Sequence, residues 1–159
     1  MEKERFKPIT VRKTVIILGL IVGSLDILAA IIDYSLSTHK NPVVIFKFIA
    51  SGIIGQSAFT GGTGIVLLGL LFHYIITFLF TTFFAWLYIK INLSTKNRLL
   101  TGILYGVFIW FVMSQIVLPL SATPKLSFHY LKALKAMLIL ICMIGLPLAF
   151  LTGKFIKKV

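Results

Sequence analysis

Between Thr14 and Gly153 the chain consists of membrane-length apolar runs separated by short polar breaks, and this pattern constrains it more than any motif does. A helix needs about 20 mostly apolar residues to cross ~30 Å of hydrocarbon, and inside that layer its backbone must bond to itself. Hydrophobic residues make up 58% of the 159, far above ordinary soluble composition, so the chain reads as an integral membrane protein. Nothing is left over for a soluble catalytic domain. One polytopic domain over residues 1–159 is expected: an all-α membrane protein, a four-transmembrane-helix bundle.

The spans are expected at about 14–36, 63–89, 99–120 and 133–153. The amino-terminal MEKERFKPITVRK with its following apolar run is read as the start of the first span and not as a secretory signal. An aspartate interrupts the run, which is longer than a signal core, and similar runs follow. Residues 42–59 are too short to cross comfortably, and Lys47, Ser51 and Gly55 give them a narrow polar stripe. They are expected to form an interfacial or re-entrant half-helix between spans one and two, opened by Asn41-Pro42.

The formal charge of +12 would suggest nucleic acid in a soluble protein, but the basic residues lie between the apolar runs and not along a face. No nucleic-acid partner is expected; topology explains the charge. With four spans, Lys3, Arg5, Lys7, Arg12, Lys13, Lys90, Lys96, Arg98, Lys154, Lys157 and Lys158 share one side. Lys40, Lys47, Lys125, Lys132 and Lys135 remain opposite. The positive-inside rule then places both termini in the cytoplasm, with anionic lipids of the bilayer as partners of the basic face. The single cysteine, Cys142, excludes an intrachain disulfide and reads as a small buried apolar side chain.

Apart from Glu2 and Glu4, all carboxylates lie in the first span, IILGLIVGSLDILAAIID. At helical spacing Gly19, Gly23, Asp26, Ala30 and Asp33 form one stripe, so small residues that admit a neighbouring backbone share a face with both carboxylates. A charge facing lipid at this depth costs at least ~2.5–3.5 kcal/mol, which makes Asp26 a functional candidate; Asp33, nearer the surface, reads as solvated. On span two, Gly69, His73 and Thr77 share a face, and counting ~1.5 Å per residue puts His73 level with Asp26. Asp26 and His73 are therefore expected to meet as a hydrogen-bonded or proton-sharing pair. The plainer alternatives are a protonated or hydrogen-bonded Asp26 that locks packing, and a neutral histidine bonded to a backbone carbonyl or a threonine. Gly102 and Gly106 form a GxxxG face on span three that suits packing or a homo-oligomer, with Gln115 on the opposite side. No metal set, cofactor motif or nucleophile beside a base is found, so no catalytic residues are assigned, and an enzyme is not supported.

The Gly-rich first span, GLLFHYIITFLF in the second, GILYGVFIW opening the third and LPLSATP after it resemble the YagU-like small inner-membrane proteins of bacteria. That resemblance implies a four-span protein of the bacterial cytoplasmic membrane and brings no activity or site residues with it. Two functions are left open. One is movement or sensing of a proton or small solute through the polar site of Asp26, His73 and Thr77. The other is a structural or partner subunit whose polar groups serve helix packing.

Overall fold

The computed structural model describes residues 8–93, 97–124 and 129–156, with side chains from Val11 onward. Lys3, Arg5, Lys7, Lys96, Lys125, Lys157 and Lys158, which carry part of the charge argument, fall outside them. The elements are α1 (Pro8–Thr38), α2 (Val43–Ile54) with a following 3-10 turn (Gly55–Phe59), α3 (Thr63–Lys90), α4 (Arg98–Leu120) and α5 (Tyr130–Phe155). Four of these, α1, α3, α4 and α5, are long and apolar enough to cross a membrane, and α2 is the short apolar helix between the first two. No strand occurs among the described residues.

Local chemistry sets most of the boundaries. Pro8 suits a first helical turn, and α1 accordingly begins there, with Arg12 and Lys13 exposed within the helix instead of preceding it. The Asn41 side chain accepts from Val43 N at the start of α2, and the Asn97 side chain accepts from Leu99 N and Leu100 N at the start of α4. After α2 the chain turns at Gly55 with φ 66° and ψ −151°, a conformation open essentially to glycine.

Pro119, one residue before the end of α4, and Pro147, within α5, each follow a π-helical turn, Met113–Val117 and Ile141–Gly145. Proline lacks the N–H and crowds the carbonyl four residues back. The wider turn, closed by Leu118 N to Met113 O in one case and Leu146 N to Ile141 O in the other, accommodates it while the helix continues.

Glycine decides where the helices meet. A Cβ on Gly19 would overlap the Phe78 ring, and one on Gly23 would lie 2.9 Å from the Tyr74 ring, so this stripe of α1 lies against α3. Gly69 of α3 receives the backbone of α2: a Cβ there would overlap the Phe46 carbonyl. Gly102 and Gly106 of α4 face Leu146, Ile141 and the backbone of Gly145 in α5. In each case absent side chains let backbones approach, the packing device of helices surrounded by lipid.

At one end of the bundle, where α1 and α4 start and α3 and α5 finish, Leu18, Val22, Phe84, Tyr88, Ile109 and Leu148 close a dense core. Tyr105 in this core donates its hydroxyl to the Phe80 carbonyl at 2.6 Å, tying α4 to α3. At the same end Lys90 sits 4.6 Å over the Trp86 ring, an aromatic and a cation together as at a membrane interface.

Two side chains differ from expectation. Asp33 is not simply solvated but forms an ion pair with Lys135 of α5, whose ammonium also donates to Ser37 Oγ at 3.2 Å. Cys142 is exposed on the outside of the bundle, because the π-turn directs Ile141, Ile144 and Gly145 inward in its place. Lys135 is 54% exposed, so Lys135→Ala should cost no more than about 1 kcal/mol. Chemical unfolding in detergent checks this; a loss several times larger would mean that the pair carries the α1–α5 contact.

Candidate functional site

The opposite half of the bundle is hollow. Beyond the dense core the helices part around a cavity of about 300 Å³. Asp26, His73 and Thr77 line it next to the core residues Ile109 and Ile144. Its walls are apolar, from Phe72, Ile76 and Phe80 on α3 and Met113, Val117 and Leu118 on α4. Phe48, Ile49, Gly52 and Ile53 of α2 and Ser121 and Thr123 of the turn after α4 close the far side.

That roof follows from α2 being too short to cross. It leans on α3 through Phe46 and Gly69, about 9 Å along α3 from its first residue at 1.5 Å per residue, and extends to the end of α4, where Ala122 N donates to Gly52 O at 3.0 Å. Ser51, on the stripe noted in the sequence, is fully buried and donates to Phe48 O, while Lys47 Nζ donates to Phe59 O at 3.1 Å and closes the return loop. The stripe thus holds α2 to its own loop and to the bundle.

His73 is buried, and its Nε2–H donates to the Gly23 carbonyl at 2.8 Å. Gly23 makes this bond available: without a side chain it lets α3 come close enough for the imidazole to reach backbone on α1. Because a carbonyl can only accept, the bond places a ring proton on Nε2. Asp26, one turn further along α1, is partly buried, lies on the same cavity and is close enough to His73 for an electrostatic interaction. No hydrogen bond joins the two side chains among the described residues, so the direct partner of His73 is the backbone carbonyl.

Thr77 donates its hydroxyl to the His73 carbonyl at 2.9 Å and thereby leaves its oxygen as an acceptor. Next to it, Ser24 Oγ and Tyr74 OH share a hydrogen bond of 2.8 Å between α1 and α3. Ala30 is partly exposed further along α1, beyond the contacts that Gly19 and Gly23 make. Gln115 is exposed, on α4's lipid-facing side, while Gly102 and Gly106 are buried.

The polar end of the cavity therefore combines a carboxylate, an imidazole with one nitrogen committed, and a hydroxyl oxygen in an otherwise apolar chamber. It can take up a proton or accept hydrogen bonds. No group of three His, Cys, Asp or Glu side chains able to hold a metal ion occurs among the described residues.

Two features of the site escape sequence reasoning. The cavity-lining part of α2 has no periodic signature, since Phe48, Ile49 and Gly52 look like any apolar helix. Gly145 could have been found: a GxxxG face needs a small residue opposite, and Gly145 is a central glycine of the fourth span.

Compared with protein-family models, with curated proteins and with solved structures, the chain matches none. The class that the fold defines is a multi-pass membrane protein with four helices long and apolar enough to span.

Proposed function

We propose that this protein moves or senses a proton or small solute through the site of Asp26, His73 and Thr77, in the bacterial cytoplasmic membrane with both termini in the cytoplasm. The observation that carries the reading is the cavity that reaches Asp26 and His73. A carboxylate placed only to lock two helices would be enclosed by its partners, whereas this one faces open volume. Ionisable groups facing a chamber inside a membrane mark proton and solute routes. Support for the orientation comes from Arg12, Lys13, Lys90, Arg98 and Lys154, which lie at the starts of α1 and α4 and the ends of α3 and α5, hence at one end of the bundle. Anionic lipids would meet that end.

Reconstituted vesicles test the proposal. Asp26→Asn should abolish pH-dependent flux while the variant elutes and unfolds like the parent protein. Unchanged flux in the folded variant would remove Asp26 from any route. The second reading, a subunit that assembles with itself or another membrane protein, is favoured by Gln115, a polar side chain exposed within a span.

A further inference from the structure

We propose that the cavity binds a small amphipathic amine, with its ammonium group among Asp26, His73 and Thr77 and its apolar body between α2, α3 and α4. This rests on reading the cavity as a solute site and names the class of solute. The argument starts from what the polar end offers. Asp26 brings a carboxyl group to the cavity, while Nε2–H of His73 is given to the Gly23 carbonyl and the Thr77 hydroxyl proton to the His73 carbonyl. The protons of His73 Nε2 and Thr77 are thus spent within the helices, and the head group that matches a carboxyl group there is a cationic donor.

Among the described residues no lysine or arginine lines the cavity beside Asp26. Lys47 on α2 is turned to the Phe59 carbonyl and does not line the cavity, and Lys135 on α5 is taken by Asp33. His73 is the one basic side chain among the lining residues. An anionic solute would be repelled, and a neutral one would leave the carboxylate unmatched in an apolar chamber. The rest of the volume accepts hydrocarbon: Phe48, Phe72, Ile76 and Met113 would surround a ring or short chain. About 300 Å³ lies at the small end of ligand pockets, enough for one ring with a short tail. On the roof side, the seam between α2 and the turn after α4 is joined by the Ala122–Gly52 backbone bond of 3.0 Å.

Three probes of one shape test this with the intact protein in lipid nanodiscs: 4-phenylbutylamine, 4-phenylbutanol and 4-phenylbutyrate, with empty nanodiscs subtracting partition into lipid. Equilibrium dialysis should show saturable amine binding at one per chain, about tenfold or more tighter than the alcohol, as a charge-assisted hydrogen bond confers, and no binding of the carboxylate. Asp26→Asn should bring the amine down to the level of the alcohol. Gly52→Leu, at a roof position whose Cβ would meet Thr123 Oγ1 and Ser121 Cβ at ordinary contact distances of 3.7 and 3.8 Å, should weaken both. Equal affinity of amine and alcohol in the parent protein overturns the proposal without recourse to any variant, as does full amine binding in folded Asp26→Asn or Gly52→Leu. Proton flux measured without amine keeps the two readings apart. Asp26-dependent flux with no amine binding in the parent protein refutes the amine and leaves the route, whereas a parent protein that shows neither refutes both.

Discussion

Replacing Gly145 by leucine should separate α4 from α5 and cost more stability than any other single change considered for this chain. A Cβ at this position would overlap the Gly102 carbonyl and lie 2.9 Å from Gly106 N. These are backbone atoms of a helix, so no flexible side chain can swing aside. Overpacking usually costs about 1–3 kcal/mol, and with backbone on both sides of the contact the top of that range or beyond is expected. The gain in helix propensity on losing a glycine, at most about 1 kcal/mol, does not offset it. Gly64, which has open space around it at the start of α3, supplies the control: Gly64→Ala should be neutral or slightly stabilising. Thermal unfolding in one detergent compares the three proteins. Equal midpoints for parent and Gly145→Leu would show that the α4–α5 crossing does not hold the bundle.

Gly69→Leu should act locally and open the roof. Its side chain would displace the Phe46 carbonyl and push α2 off α3, yet the dense core around Leu18, Phe84 and Ile109 lies in the other half and does not depend on α2. The global midpoint should therefore fall less than in Gly145→Leu, while local opening rises steeply. Ala50 is fully buried and lies on α2, so a cysteine there reports the opening. In a background where Cys142 is replaced by alanine, Ala50→Cys should react with a maleimide at least about tenfold faster once Gly69→Leu is added, an opening shift of roughly 1.4 kcal/mol or more. An unchanged rate would mean that α2 is held mainly by the turn at Ala122 and by Lys47.

Hydropathy located the four spans to within a few residues at most ends because a bilayer leaves a chain few alternatives. The glycines of α1 and α3 could be placed on faces because helical spacing is fixed. Other features depend on contacts that spacing does not encode. Lys135 reaches Asp33 across about a hundred residues of sequence, so solvation was the natural reading of that carboxylate. The partner of His73 was equally out of reach: whether the imidazole meets a carboxylate or a carbonyl depends on how closely two helices approach, and Gly23 sets that distance only once Tyr74 and Thr77 pack against it.

The contrast between a dense half and a hollow half has an electrical consequence. A voltage across a membrane falls where the material is dry and polarises little, not where water can follow the field. Once water fills the chamber below α2, the drop concentrates across the layer formed by Leu18, Val22, Phe84, Ile109 and Leu148. Asp26 then stands at the edge of that layer. A proton reaching it from the α2 side would cross little of the field, and one leaving through the core would cross nearly all of it, at about 2.3 kcal/mol per 100 mV. On the proton route proposed above, occupancy of the site would accordingly follow the pH on the α2 side, and onward transfer would follow the voltage.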